Sequence, residues 1–540
     1  MDDATDAMTV EWRDWGAEAF ERARETDRPV LLSIVATWCG WCQTMDATTY
    51  ARPRIGATLN HDFVPVRVDA DRRPRVRDRY AATGFPATLV LTPEGRLIAA
   101  ASYLTPEQMD RVLSGAREEF ETQGEDAGRL PHTLRDPAPP GGTLDAEIER
   151  YVNGQVDAQF DRDNGGWGDE QKFPLPATIE FALKRQPDRG RRALDAVTEG
   201  LFDDPDGGFF RHANADWSEP TREKVLGVNA DLLGAYASAY LVTGETRYRE
   251  IADATVEYLE ETLWTGAGFG TGQRPSEYFD LSGDERRERD PPPVDQSVNA
   301  GPNGRAAAGL SWFAAYTDDR RARRLATETL DVLESRCTDG VVAHAPGDED
   351  PILGTQAAAL QAFVAGGQVL DAGHFETATA IADATVDRLQ DDDGAVRDGP
   401  SSGPALLDRP LYQIDETARL ASGLLDLSFA TGVDRHRAAA REALSAFADA
   451  ADRFGPQVAR YGTAVARLLR RPLVVGVAAE TGAELHRAAL RMADHEKVVI
   501  PSVDALDAGR AAVLTEDGWV GSADNPRELA SLVETYDARR

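Results

Sequence analysis

The first 125 residues alternate short apolar runs with amphipathic stretches, a pattern typical of an α/β domain. Strands are predicted where apolar residues follow one another, and helices where they recur every three to four positions. A Pro-Glu-Gly turn at 93–95 separates the last two strands, and Thr105 caps the last helix. The predicted order is α–β–α–β–α–β–β–α, with one helix broken near Pro53 and another ending at Gly84.

From residue 143 to about 470 the pattern is helical only, interrupted by loops rich in glycine and aromatic residues. Alanine-rich apolar helices alternate with charged amphipathic ones, and the pair recurs about every 55–75 residues. Such helix pairs form either an open solenoid or a closed (α/α) toroid. The long loops 163–174 and 204–220 favour the toroid, in which loops collect at one end over a pocket.

These patterns predict a multidomain chain, which its 540 residues also favour. We expect an N-terminal α/β domain at 1–125 and a Pro/Gly-rich linker at 126–142. An all-α toroid at 143–470 and a small α/β C-terminal region at 471–540 complete the prediction.

Composition excludes some partners and indicates an environment. The formal net charge of −33 argues against nucleic-acid binding, because nothing basic would neutralise phosphates. The acid is spread along the chain and lysine is scarce, as in proteins of salt-loving organisms, where concentrated salt screens self-repulsion. The start lacks an apolar signal segment and no apolar run reaches membrane-spanning length, so we expect a cytoplasmic protein without a membrane partner.

The candidate chemistry lies in the sequence "WCGWC", where Cys39 and Cys42 stand between Trp38 and Trp41. The chain's third cysteine, Cys337, is distant in sequence, so there is no disulfide framework. The pair follows a predicted buried strand and opens a helix, where free backbone N–H groups stabilise a thiolate. Cys39 would be the exposed nucleophile and Cys42 the resolving thiol. Two inert core cysteines remain an alternative, and a zinc site, which needs about four ligands, is a weaker one.

These residues resemble the thioredoxin superfamily over about residues 10–123. "WCGWC" corresponds to the family's W-C-G-P-C, and the loop "GFP" at 84–86 corresponds to its cis-proline loop beside the dithiol. The resemblance implies a redox-active pair with Trp38, Gly40, Trp41 and Pro86 as neighbours. Two departures matter: Ser33 stands where thioredoxin has a buried carboxylate, and Trp41 replaces the proline between the cysteines.

A narrower resemblance covers nearly the whole chain and points to the DUF255 family. It rests on "DADRRP" (69–74), "GGWGDEQKFPLP" (165–176) and the run from 200 to 232. The resemblance implies a thioredoxin-like domain joined to an (α/α)6 toroid of the six-hairpin glycosidase type. The family's usual Cys-His-Trp-Cys has Gly40 in place of histidine here, which removes an imidazolium able to lower the pKa of Cys39.

The toroid carries weaker candidates for chemistry. Thr221 and Val228 replace the family's histidine and aspartate, whereas Glu223 and Lys224 are retained. Aromatic residues of the long loops could stack on a sugar or simply plug the toroid, and a lone histidine could be a base or structural. The possible pocket residues are Trp167, Phe173, His212, Trp217 and Glu223. Further acids on or near the loops are Asp163, Asp169, Asp206, Asp216, Asp415 and Glu416.

Three functions follow from the sequence. The first is a thiol–disulfide oxidoreductase that acts on protein disulfides or with a thioredoxin-reductase-type system, its toroid binding a partner or a sugar-like ligand. The second is a carbohydrate-active toroid, glycosidase- or epimerase-like, with an accessory redox domain. The third is a non-catalytic scaffold. No cofactor and no metal are expected in any of them.

Overall fold

The computed structural model describes residues 9–80, 84–135 and 138–537. The chain forms two compact units. The first comprises Met1–Ala138 and Asp398–Leu411, and the second comprises Pro139–Arg397 and Tyr412–Arg540. Within the described residues, no helix is long and apolar enough to cross a membrane.

The first unit is built on a five-stranded mixed sheet of order β1-β3-β2-β4-β5, in which β4 runs antiparallel to the other four strands. Its strands are β1 (Arg13–Asp14), β2 (Val30–Val35), β3 (Val64–Asp69), β4 (Ala87–Leu91) and β5 (Leu97–Ala101). Its helices are α1 (Ala17–Thr26), α2 (Gly40–Met45), α3 (Pro53–Asp62), α4 (Pro74–Tyr80) and α5 (Pro106–Gln123).

The predicted element order is found in this unit, except that the short strand β1 precedes the first helix and was not predicted. Central β2 is buried because five apolar residues and Ser33 fill it. A π-helical turn, Asp46–Tyr50, follows α2, and Pro53 opens α3, so the expected helix break is present. Thr105 caps α5 in a capping box with Gln108. Residues 81–83 of the helix expected to end at Gly84 lie outside the described residues.

The segment Asp398–Leu411 belongs to the first unit through a buried ion-pair cluster on α4. Arg75 Nε donates to Asp398 Oδ2 at 2.9 Å, and Arg79 donates to both oxygens of the same carboxylate. Both guanidinium groups also donate to backbone carbonyls of the segment. Because removing one partner would leave a buried charge, the cluster fixes this segment on α4.

The second unit is a closed ring of six helical hairpins, so the open solenoid is excluded. Six inner helices pack side by side, and the last packs against the first. Each inner helix also packs against one outer helix. The inner helices are α7 (Pro176–Arg185), α9 (Leu226–Thr243), α12 (Ala300–Thr317), α14 (Leu353–Val369), α16 (Ile414–Thr431) and α18 (Ala459–Leu469). The outer helices are α6 (Ala146–Ala158), α8 (Pro187–Leu201), α10 (Thr246–Tyr258), α13 (Arg320–Ser335), α15 (His374–Leu389) and α17 (Asp434–Ser445).

Three of the inner helices, α9, α12 and α14, are largely apolar on every side because they contact two neighbours and an outer helix. Buried amides fix the loops that enter them. Asn229 exchanges two hydrogen bonds with the backbone of Phe209, and Asn303 does the same with Phe269. Each amide therefore satisfies a buried backbone N–H and C=O that precede the helix.

Short strands accompany the loops, and a small sheet forms near the C-terminus. The loop strands are β6 (Gln171–Lys172), β7 (Ala213–Asn214), β8 (Lys224–Val225), β9 (Gly272–Gln273), β10 (Val294–Asp295), β11 (Cys337–Thr338) and β12 (Val341–Val342), and a short helix α11 (Gly283–Arg286) lies among them. The C-terminal region contains β13 (Val474–Val477), α19 (Glu484–Leu490), β14 (Val498–Ile500), β15 (Ala511–Thr515), β16 (Gly518–Ala523) and α20 (Pro526–Asp537), with sheet order β14-β13-β15-β16.

Candidate functional site

Cys39 and Cys42 form a disulfide at the start of α2. Cys39 is the N-cap residue, and its Sγ accepts the backbone N–H of Cys42 at 3.1 Å. The two Cα atoms lie 5.4 Å apart, within the range that disulfides require. The expected exposure of Cys39 is not found, because the two residues have relative exposures of 2% and 3%. Each sulfur is covered in part by the other in this oxidised pair.

Trp38 joins the dithiol to the "DADRRP" motif. Its indole Nε1 donates to Asp71 Oδ2 at 2.6 Å, and its ring meets Phe85 edge-on. The Phe85–Pro86 bond is cis, as the resemblance to thioredoxin implies. Asp71 is a site neighbour that reasoning from the sequence missed, although the motif that contains it was recognised.

Trp41 is the most prominent surface feature beside the pair. It follows Gly40, the first residue of α2, and 63% of its surface is exposed. Its ring meets Tyr103 edge-on with centroids 5.4 Å apart. The two aromatic side chains therefore offer apolar surface next to Cys42, where a bound polypeptide could pack.

Ser33 is fully buried in β2, which leaves no carboxylate at this strand position. Its neighbours across the sheet are Arg67 on β3 and Thr88 on β4. Burial raises the pKa of Tyr50, whose nearest polar groups include the hydroxyls of Ser33 and Thr88. Because a phenol with a raised pKa is a poor base near neutrality, this group does not replace the missing carboxylate.

The predicted tryptophans of the toroid loops are part of the core. Trp167 is buried and donates through Nε1 to the carbonyl of Val156. Trp217 is buried and donates to the carbonyl of Gly165. Neither presents a ring face to a ligand, because the Trp167 ring packs against Phe160 and the Trp217 ring packs against Gly166.

Phe173 is exposed on the same loops, whereas His212 and Glu223 near it are buried. The Phe173 ring is 40% exposed and stacks on His212 at 4.7 Å. Burial and the nearby Arg211 lower the pKa of His212 to about 4, so the ring is neutral at pH 7. Glu223 accepts a hydrogen bond from Arg211 at 2.8 Å. The group can contact a ligand, but an imidazole with this pKa is a weak base.

The remaining candidates have ordinary surroundings. Asp163, Asp169 and Asp216 are exposed on their loops. Lys224 is buried and pairs with Asp203, and burial lowers its pKa to about 8. The thiol of Cys337 is half-buried, which raises its pKa. Within the described ranges, no group of three or more His, Cys, Asp or Glu side chains could hold a metal ion.

A cavity of about 190 Å³ lies among the six inner helices. Its wall includes Trp312 and Gln368, and His495 and Glu496 of the C-terminal region also line it. Arginine side chains from four positions line it as well: Arg305, Arg419, Arg460 and Arg467. The loop residues predicted as a toroid pocket are not part of this lining. The sequence signal was weak, because Arg305 and Arg419 each stand singly in a largely apolar helix, and Arg460 and Arg467 are seven residues apart in α18.

Comparison with known proteins agrees with this architecture. Residues 4–124 match the Thioredox_DsbH family model, described as a protein of unknown function, DUF255. This part of the chain is therefore similar to the DUF255 family. The resemblance that the motifs "WCGWC" and "DADRRP" indicated is thereby confirmed.

Three similar proteins match different shares of this chain. Human spermatogenesis-associated protein 20 is 28% identical over 339 residues, which cover 53% of this chain and 43% of that protein. The chain thus spans less than half the length of this relative. Thioredoxin-like protein slr0233 of Synechocystis is 35% identical over 69 residues, 13% of this chain and 62% of that protein. A sugar epimerase structure from a ruminal bacterium aligns with 55% of this chain and 85% of its own, at 13% identity and a TM-score of 0.46.

Proposed function

We propose that the DUF255-like domain is a thiol–disulfide oxidoreductase that uses Cys39 and Cys42. The observation that carries the proposal is the disulfide between them at the junction of β2 and α2 in a thioredoxin-like unit. A pair that closes without rearranging the backbone can cycle between dithiol and disulfide.

The reaction balances over two steps. The Cys39 thiolate attacks one sulfur of a substrate disulfide, so a mixed disulfide forms and the first substrate thiolate leaves. The Cys42 thiolate then attacks Cys39 Sγ, which releases the second substrate thiolate and leaves the Cys39–Cys42 disulfide. Two electrons pass to the substrate, whose thiolates take protons from solvent. A dithiol reductant, such as a thioredoxin-reductase-type system, returns two electrons to the pair.

Surface features around the pair suit a polypeptide substrate. Trp41 is exposed beside Cys42, and the loop that holds Pro86 lies near Trp38 through Phe85. The similarity to a thioredoxin-like protein over 69 residues supports this assignment. We therefore propose that protein disulfides are the substrates and that Trp41 contacts the chain flanking the substrate cysteine.

Insulin reduction with dithiothreitol as electron donor tests the proposal. The wild type should accelerate precipitation of the insulin B chain, and Cys39→Ser should reduce that rate to the uncatalysed level. Cys337→Ser is the matched control, since it removes the chain's other thiol and should leave the rate unchanged. A Cys39→Ser variant as active as the wild type would sink the proposal.

A further inference from the structure

The cavity inside the second unit is polar, although it lies where the ring is otherwise closely packed with alanine and leucine. It holds about 190 Å³ and is bordered by all six inner helices. Protein interiors rarely keep charged groups away from water without a structural or binding role. The polar and charged side chains that line the cavity therefore indicate a ligand that forms hydrogen bonds with them.

Charge is balanced around the cavity, because each of its four guanidinium groups lies against a carboxylate. The nearest contacts are Arg305–Asp231 at 2.7 Å, Arg460–Asp415 at 3.4 Å, Arg419–Glu416 at 3.4 Å and a close Arg467–Asp426 pair. Two sequence candidates, Asp415 and Glu416, thus serve as partners of cavity arginines.

Two further acids on the cavity wall do not change this balance. Glu496 pairs with Arg185 at 2.6 Å and with Lys184 at 3.2 Å. Glu180 accepts a hydrogen bond from Ser238 at 3.0 Å, and burial raises its pKa, which favours the neutral acid. The wall therefore carries no uncompensated positive charge that would attract an anion.

The cavity wall has no unpaired charge, but it has buried hydrogen-bond donors without a well-placed acceptor. Gln368 Nε2 and Arg467 Nε are buried on the wall and have no acceptor among the described residues. The Nε atoms of Arg419 and Arg460 approach carboxylates only at 3.4 Å and make no well-formed hydrogen bond. Buried donors in this state destabilise the fold, so they call for an acceptor-bearing molecule.

Trp312 adds an apolar surface to the same wall, backed by Tyr316 at a centroid distance of 5.9 Å. Guanidinium groups that donate and carboxylates that accept, together with one indole, suit hydroxyl groups and the C–H face of a ring. We propose that this cavity binds one uncharged, polyhydroxylated molecule of monosaccharide size. The site lies among the inner helices and is separate from the loop residues of the sequence-based pocket.

The charge balance of the cavity wall favours an uncharged ligand over its acidic counterpart. An anion entering the cavity would lose its hydration, and no unpaired cation would replace that loss. A hydroxyl group loses far less, because it accepts from the free donors and donates to the carboxylates. A uronate should therefore bind more weakly than the neutral sugar of the same ring geometry.

Titration calorimetry on the full chain in molar KCl tests the proposal. The probes are D-glucose, D-mannose, D-galactose and myo-inositol, with D-glucuronate and D-galacturonate as charged counterparts. At least one neutral probe should bind at a single site, with a dissociation constant at least about tenfold below that of its counterpart, a difference of about 1.4 kcal/mol.

A cavity-filling variant locates the site. Gly234 lines the cavity in the middle of α9, and a Cβ there would meet no atom within 4 Å. Gly234→Leu should keep the fold, because leucine favours a helix, and should weaken binding at least about tenfold. Gly154→Leu on outer helix α6 is the matched control, since Gly154 is also helical, open and exposed. Its binding should equal that of the wild type.

Three results would overturn the proposal. One is the absence of saturable binding by every neutral probe. Another is a uronate that binds as tightly as its neutral counterpart, which would indicate a charged site. The third is unchanged binding by Gly234→Leu in a folded variant, which would move the ligand elsewhere on the chain.

Discussion

At the residue scale, the chain's chemistry depends on groups that stand beside the reactive atoms. The dithiol could be predicted because its cysteines are three residues apart and their geometry follows from one helix start. Asp71 and the cavity arginines could not be predicted, because elements that are distant in sequence place them beside their partners. The loop tryptophans looked like a binding surface in sequence, yet they pack inward.

Lys497 is a buried group whose effect on the pH dependence of stability can be measured. It is buried against Tyr316, and its Nζ donates to the carbonyl of Asp494 at 3.1 Å. Burial lowers its pKa from 10.5 to about 7. Between these two values the unfolded chain binds the proton that the folded chain has released, so this group makes stability rise with pH.

We expect Lys497→Met to remove that rise. The free energy of unfolding of the wild type should increase between about pH 7 and pH 10, and the variant should show a flatter profile over the same range. Urea denaturation at each pH, at constant ionic strength, measures the difference. Parallel pH profiles for the two proteins would show that Lys497 is charged in the folded state.

At the element scale, periodicity predicted most of the fold. The helix pairs of the second unit, the break at Pro53 and the cap at Thr105 all follow from local pattern. The π-helical turn after α2 and the hairpin of β15 and β16 were not predicted, since neither has a distinctive apolar period. The buried amides also escaped notice, because a single asparagine in an apolar helix gives no pattern.

Asn303 tests the role of these amides. Its side chain accepts from Phe269 N–H at 2.8 Å and donates to the Phe269 carbonyl at 3.0 Å. Asn303→Ala should lower the free energy of unfolding by about 2–4 kcal/mol, because two buried backbone groups lose their partners. Gln159→Ala, which alters an exposed amide, should change it by less than about 0.5 kcal/mol. Equal effects of the two substitutions in chemical denaturation would argue against the amide's role.

At the scale of the whole molecule, sequence left the closure of the helical array open, and packing decides it. The ring closes because α18 contacts α7, a pairing between helices that are nearly 300 residues apart in the chain. Local pattern carries no information on such a contact. The C-terminal region, whose role the sequence did not reveal, contributes His495 and Glu496 to the cavity wall.

The net charge of −33 is also a property of the whole molecule. Self-repulsion among carboxylates should loosen the chain at 0.01 M salt, where the Debye length is about 30 Å. It should loosen the chain much less at 1 M salt, where the Debye length is about 3 Å. We expect the melting temperature in calorimetry to rise steeply with KCl over this range. Sucrose, which strengthens burial without screening charge, is the control and should raise it less. A melting temperature independent of KCl would refute an adapted acidic surface.

The central claim is that Cys39 attacks and Cys42 resolves, and trapping tests it most directly. Reduced Cys42→Ser/Cys337→Ser protein is mixed with a disulfide-linked peptide and analysed by intact mass spectrometry. The account predicts one peptide bound through Cys39, and almost none on Cys39→Ser/Cys337→Ser, in which Cys42 is the remaining thiol. Absence of an adduct on Cys39, or equal adducts on the two variants, would contradict it.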